Sequence, residues 1–331
     1  MSFWKNKKIL ITGGAGFIGS NLAKDLLDNG AIVCLADNFE RGKREYISEL
    51  LGHKNLRVHK RDLRKVDDCL YITKDVDIVI HLASKVGGIG YYQSYPFQVL
   101  ADNLAIDANI IKASISNGVS RFLYASSAHV YPLELQLQPD CPLISESQSS
   151  PCNPELSYGW AKLIGEKSLS FAVKENPNFR IAIARYVGIY GKNQDFGLDT
   201  GSVIPVFAHR ALKYPSIPFS IWGNGEETRS YCFIEDAIEC TKRMIIKMEE
   251  QQIVGPLNVG KQELVKIKEI AEHMVEISEK DIKLEFDTSK KTTIWGQLCD
   301  CSKALEALGW EAKTSLKEGL KVVFEDVSKR I

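Results

Sequence analysis

The chain of 331 residues balances 42 Lys+Arg against 42 Asp+Glu and has 44% apolar and 25% charged side chains. It can bury a large core, which excludes disordered and collagen-like classes, and it has no bulk field to draw it to nucleic acid or an anionic membrane. No apolar run nears the roughly 18–20 residues of a membrane span and residues 1–8 lack a secretory apolar stretch, so a cytoplasmic protein without membrane partners is expected.

Short apolar runs at residues 8–12, 32–36, 56–59, 78–82, 122–126 and 181–186 have strand length and alternate with helical patterns at 20–29, 103–116 and 158–175. That alternation predicts an α/β fold with a doubly wound parallel sheet and helices on both faces. After Gly191 the pattern loosens into Gly-, Pro- and aromatic-rich loops with helical stretches at 234–249 and 265–279. The expected organisation is a Rossmann domain over 1–185, to which 232–260 returns, and a smaller mixed α/β substrate domain from 186–231 and 261–331. Eight cysteines with no CxxC pair and no regular spacing to histidine predict reduced thiols and no metal site.

The first strand runs into Thr12-Gly13-Gly14-Ala15-Gly16-Phe17-Ile18-Gly19. Gly13 allows a tight turn, Gly16 a close approach of backbone to a pyrophosphate, and Gly19 close helix–strand packing. Phe17 and Ile18 open the helix whose N-terminus favours phosphate charge. The second strand ends at Asp37-Asn38, where a carboxylate can bind both ribose hydroxyls and repel a 2′-phosphate, so NAD is the expected cofactor. Arg41, Lys43 and Arg44 either soften that preference or form a solvated loop, and Asp62-Leu63 either frames the adenine or is a surface turn.

The fifth strand ends in Ser126-Ser127-Ala128-His129-Val130-Tyr131-Pro132, and Tyr158-Gly159-Trp160-Ala161-Lys162 opens a helix about thirty residues later. Tyrosine and lysine at i and i+4 share a helix face. The lysine cation is expected to lower the phenol pKa, with the nicotinamide cation adding to this, so that Tyr158 acts as a base and Ser127 binds the same substrate oxygen. His129 is either a proton carrier, its pKa lying near neutrality, or a residue lining the pocket.

These motifs, with His81-Leu82-Ala83, Asn103, the loop Trp222 to Ser230, Phe233-Ile234-Glu235-Asp236, Leu257-Asn258-Val259-Gly260 and Leu308-Gly309-Trp310, resemble the extended short-chain dehydrogenase/reductase family of nucleotide-sugar epimerases, dehydratases and reductases. The resemblance covers almost the whole chain. It implies NAD contacts by Gly13, Gly16, Phe17, Ile18, Gly19, Asp37, Asn38, Asp62, Leu63, Leu82, Ala83, Lys85, Asn103, Tyr158 and Lys162, and substrate contacts by Gly87, Gly88, Ser127, His129, Trp222 and Arg229, the last to a diphosphate. Lys85-Val86-Gly87-Gly88-Ile89-Gly90 and the Tyr-Pro ending are most similar to the GDP-mannose 3,5-epimerase and GDP-fucose synthase branches, which implies a GDP-sugar.

Several positions depart from those branches. They carry a cysteine where His129 stands and a lysine or histidine near Ser202-Val203. Dehydratases of the family carry Asp-Glu where this chain has Ala128-His129, which disfavours dehydration. Gly188 stands in place of a diphosphate-binding Asn, and Trp295 lies about where a second phosphate arginine is expected, a role that Lys290 or Lys291 can take. The expected activity is epimerisation through a transient C4 ketone. A net 4-dehydrogenase or 4-keto reductase and a non-catalytic NAD-binding protein are the alternatives. A homodimer paired through the helices around 103–116 and 156–172 is expected, since the family commonly dimerises there.

Overall fold

The computed structural model describes residues 2–290 and 293–331. Lys8–Thr12 (β1), Ile32–Asp37 (β2), Leu56–Lys60 (β3), Ile78–His81 (β4) and Arg121–Ser127 (β5) form the heart of a seven-stranded sheet, joined beyond β5 by Arg180–Tyr186 and then Ile253–Val259. The spatial order runs β3-β2-β1-β4-β5, with every one of these neighbours paired in parallel. β1 and β4 are adjacent in space while the chain leaves them in opposite directions across the sheet, which makes their carboxyl ends the ligand-binding switch point of a doubly wound fold. The parallel Rossmann expectation is met.

The central strands β1, β4 and β5 carry apolar runs with residues buried on both faces, as helix-covered strands require, whereas the edge strand β3 is only partly buried. Phe17–Asp28 (α1) follows β1, and Val66–Ile72 (α2) follows β3. Ile89–Ser94 (α3) and Pro96–Ser116 (α4) follow β4, and Ser157–Glu175 (α5) precedes Arg180–Tyr186. One core cluster joins Val79, Phe122, Tyr124 and Ile181 of the sheet to Ile106 and Ile110 of α4 and Leu169 and Val173 of α5. α4 begins at Pro96 rather than at Asn103, with proline in the first turn, where its missing N–H costs nothing.

The chain divides into two compact units. One comprises residues 1–130, 156–185 and 238–257, and the other 131–155, 186–237 and 258–331. The second unit is mixed α/β. A four-stranded sheet orders Val265–Lys266, Thr228–Arg229, Gly296–Cys299 and Leu143–Ile144, with both antiparallel and parallel pairs. Two-stranded pairs and the helices Val203–Lys213, Ile267–Ser278 and Leu316–Ser328 complete it. Residues 265–266, expected as helix, are strand because they pair antiparallel with Thr228 and Arg229; the helix starts at Ile267. Among the described residues, no helix is long and apolar enough to cross a membrane.

Candidate active site

The glycine turn is held where the sequence places it. Gly13 has φ +66°, and a Cβ there would lie 2.9 Å from the Ala83 nitrogen; one at Gly19 would lie 2.4 Å from the Gly13 carbonyl oxygen. β1, β4 and α1 therefore meet too closely for any side chain at these two points. Gly16 precedes α1 with no side-chain cap, so the first-turn N–H groups are not occupied by a capping side chain, as an anion site requires. This cradle fits a dinucleotide pyrophosphate.

At the end of β2, Asp37 is buried and its carboxylate accepts the N–H of Ala15 at 3.0 Å and of Phe39 at 2.8 Å. Burial raises its pKa and these two bonds oppose the rise. Asn38 accepts the Glu40 N–H at 3.0 Å. The basic loop residues bind protein groups: Arg41 donates to the Val86 carbonyl at 2.8 Å, Lys43 reaches Glu45 at 3.7 Å and Arg44 lies against the Phe39 ring. Asp62 is tied to Arg64, whose guanidinium also reaches Glu40 at 2.6 Å and Asp102 at 3.4 Å. Leu63 is buried, and its carbonyl accepts from Asn109 at 3.0 Å.

After β4 the chain is fixed by side chains. Leu82 donates to the Thr12 carbonyl at 3.2 Å, and Ala83 to Thr12 Oγ1 at 3.2 Å. Asn103 spends its amide on this segment: Oδ1 accepts from Ser84 Oγ at 2.6 Å and Lys85 N–H at 2.7 Å, and Nδ2 donates to the Lys85 carbonyl at 3.0 Å. Lys85 Nζ lies 2.5 Å from Glu40. Gly87 and Gly88 lead into α3, and Gly88 is its N-cap.

Ser127, Tyr158, Lys162 and His129 come together. The hydroxyls of Ser127 and Ser84 both hydrogen-bond the Tyr158 phenol, and Ser127 Oγ accepts the His129 N–H at 3.2 Å. Lys162 is buried to 1% exposure, with its ammonium 4.8 Å from the Tyr124 ring centre and 5.7 Å from that of Tyr158. The His129 ring stands edge-on to Tyr158 at 5.8 Å, and the Tyr92 ring stacks on it at 5.3 Å. Beneath the strand end, Ser126 donates to Glu166 at 2.5 Å, and Glu166 takes Arg185 Nε at 2.8 Å and Nη2 at 2.7 Å.

The electrostatics of the protein alone add a burial effect that motif spacing does not report. In the protein alone the Tyr158 pKa is raised well above the ordinary phenol value, by burial first and by the neighbouring Tyr92 and Asp107, against the two serine hydrogen bonds. Burial also lowers the pKa of Lys162, opposed by Asp107 and Glu166. The lysine by itself therefore does not make a tyrosinate near neutrality, because desolvation disfavours the phenolate more than the site's hydrogen bonds favour it.

In the second unit, Arg229 donates to the carbonyls of Thr228 at 2.8 Å and Ile294 at 2.9 Å, and burial lowers its pKa. Trp222 is 52% exposed, with Lys290 Nζ 5.5 Å from its ring centre. Gly188 has φ +53°, and a Cβ there would stand 2.0 Å from the Ser230 carbonyl oxygen, so no asparagine fits this backbone. Trp295 is held by its backbone, which donates to Gln136 O at 2.8 Å and accepts from Thr228 N at 2.9 Å. Ser202 Oγ accepts from Gln194 at 3.0 Å. Lys291, the alternative to Lys290 for a phosphate, lies outside the described residues.

Residues 9–260 match the family model described as the NAD dependent epimerase/dehydratase family. The chain belongs to this family. It is 32% identical to GDP-mannose 3,5-epimerase of Arabidopsis thaliana, an alignment that covers 99% of this chain and 85% of that protein. It is 31% identical to UDP-glucuronic acid decarboxylase 6 of the same plant, over 99% of this chain and 91% of the other. The solved UDP-N-acetylglucosamine 4-epimerase from Methanobrevibacter ruminantium, in complex with UDP-N-acetylmuramic acid, matches the fold with a TM-score of 0.86 at 26% identity, covering 99% of this chain and all of that one (100%). As a member of this nucleotide-sugar epimerase/dehydratase family of the extended short-chain dehydrogenase/reductase type, the protein is an NAD-dependent enzyme.

Beyond the motifs of this family, sequence reasoning missed Ser84, Tyr92 and Asp107 at the site. Ser84 and Tyr92 lie in a loop and a short helix without periodicity. Asp107 carried a signal: it is a carboxylate one turn after Asn103, on the stripe of α4 that buries Ile106 and Ile110.

Proposed function

We propose that the enzyme epimerises a GDP-sugar through a transient 4-ketone, with NAD regenerated in each turnover. The observation that carries this reading is the Tyr158 phenol, hydrogen-bonded to Ser127, with the Lys162 ammonium behind it and the His129 ring at its edge. Bound in the Gly13–Gly19 cradle, NAD supplies a nicotinamide that accepts and returns hydride at the sugar carbon. As the phenolate that the Lys162 ammonium and the bound nicotinamide cation would together favour, Tyr158 takes the proton of the C4 hydroxyl, while Ser127 steadies that oxygen. The 4-ketone acidifies the adjacent C–H bonds, and His129 carries the proton at C3 or C5.

Similarity to a GDP-mannose 3,5-epimerase over 99% of the chain supports the guanine nucleotide, and relatives named for UDP-sugars make those the second reading. In this reading the second unit binds the sugar nucleotide, with Arg229 at the diphosphate and Trp222 on the substrate, and Gly87 and Gly88 are substrate-binding residues of the first unit. The exposed Phe97, Ile164 and Phe171 on α4 and α5 support a homodimer through these helices. The test is incubation with GDP-, UDP-, dTDP- and CDP-sugars in deuterated water, followed by NMR of the products. Deuterium at C3 or C5 of a GDP-sugar is expected. Turnover of UDP-sugars alone, or net accumulation of reduced cofactor, overturns the reading.

A further inference from the structure

Asp107 reaches the site from α4 and is buried to 3% exposure. Tyr124 of β5 donates its hydroxyl to Oδ2 at 2.5 Å, and His81 Nε2 of β4 lies 3.0 Å from Oδ1. The tautomer of His81 follows from its other nitrogen. Thr12 Oγ1 lies 2.7 Å from His81 Nδ1 and accepts the Ala83 N–H, so its own proton is available to Nδ1, the arrangement that leaves the ring proton on Nε2 facing the Asp107 carboxylate. Nε2 then carries the imidazole proton and donates it to Asp107. Burial lowers the His81 pKa, so the ring is neutral. Asp107 thus accepts from two neutral donors, neither of which brings it a counter-charge.

Lys162 faces a known set of groups. From α5 come Tyr158 and Glu166, from β5 Tyr124, from β4 the neutral His81, and from α4 Asp107. The Glu166 charge is matched by the buried Arg185 in a two-pronged pair at 2.7 and 2.8 Å. The Lys162 ammonium lies over the Tyr124 ring, and that tyrosine's hydroxyl is the donor to Asp107. We propose that Asp107 is the buried counter-charge of Lys162, a positioning residue that holds the lysine cation against Tyr158.

The inference rests on the reading of Tyr158 and Lys162 given above, and two separate measurements test the two. Full-length enzyme saturated with NAD is labelled with carbon-13 at the lysine ε carbons, and the Lys162 signal is assigned by its loss in Lys162→Met. In the wild type Lys162 should be charged at neutral pH, with a midpoint below that of an ordinary lysine because it is buried. In Asp107→Asn, whose amide oxygen can still accept from Tyr124 and whose N–H can donate to His81 Nε2 once the ring proton moves to Nδ1, the midpoint should fall by on the order of one pH unit, a tenfold change in acidity. A merely structural role would lower the melting temperature without moving this titration. An unmoved or raised midpoint in Asp107→Asn overturns the proposal. So does a wild-type Lys162 already neutral at neutral pH, a measurement that stands even if the variant fails to fold. Turnover of Tyr158→Phe on the sugar-nucleotide panel separates the readings. If that variant is inactive and the Lys162 midpoint does not move, only the Asp107 inference fails. If it turns over normally, the catalytic reading fails whatever Lys162 does.

Discussion

Replacement of Glu166 by glutamine should unfold the first unit's core more easily than any surface change. The Arg185 side chain is 2% exposed and that of Glu166 9%, with two charge-assisted bonds between them and a third from Ser126. The glutamine side chain keeps the shape but removes the charge and turns an amide N–H toward the guanidinium, so a buried cation loses its counter-charge. Breaking such a pair costs about 3–5 kcal/mol, a large part of the roughly 5–15 kcal/mol by which domains are stable. With a urea slope of about 3 kcal/mol per molar, the midpoint should fall by more than about 1 M. The assay is equilibrium urea unfolding followed by far-ultraviolet circular dichroism. Glu166→Leu combined with Arg185→Met should recover most of the loss, since apolar groups of similar volume need no desolvated charges. A single-variant shift under about 0.3 M, corresponding to less than about 1 kcal/mol, would refute the reasoning.

Tyr158→Phe should leave NAD binding by calorimetry nearly intact and lower turnover by about 10²–10⁴, the loss expected for a general acid/base. Asp37→Ala should do the opposite, weakening NAD and narrowing its preference over NADP while the chemical step at saturating cofactor changes little; unchanged affinities for both cofactors would count against Asp37. His129→Ala should abolish deuterium wash-in while the 4-ketone still forms, and normal wash-in would return His129 to a lining role. The wild type should run as a dimer by light scattering and Phe97→Asp with Phe171→Asp as a monomer, and a wild-type monomer at micromolar concentration removes the dimer.

The Rossmann sheet was legible because its signals are local: β1, the glycine turn and α1 are contiguous, and the Ser126-Ser127 strand end and the Tyr158–Lys162 helix turn are each a short motif. The strand Ile253–Val259 escaped notice because Gly255-Pro256 lies inside it. Proline is tolerated there because this strand is the last in the sheet order, where a missing donor leaves no ladder bond unmade. The helix Val203–Lys213 was hidden by Pro205, which sits in its first turn. At the site, the tyrosine, lysine, serine and histidine could be placed from motif spacing. The Ser84 and Tyr92 contacts could not, since they arise when the segment after β4 folds over α5. The rise that burial gives the Tyr158 pKa in the protein alone was not legible for a related reason: burial depends on every neighbour in space, whereas i,i+4 spacing reports on only one.

Arg64 joins Asp62, Glu40 and Asp102, at 2.7, 2.6 and 3.4 Å, and Lys85 is the only other cation paired with any of the three among the described residues' ion pairs. Three carboxylates from three different elements have been drawn together around one guanidinium. Loss of Arg64 alone leaves them facing one another, and loss of any one of them leaves the others still paired. Substitution in this corner is therefore directional. Loss of any one acid with Arg64 in place should cost less than loss of the arginine first, which strips three carboxylates of a shared cation and leaves only Glu40 with another, Lys85, among the described residues' ion pairs.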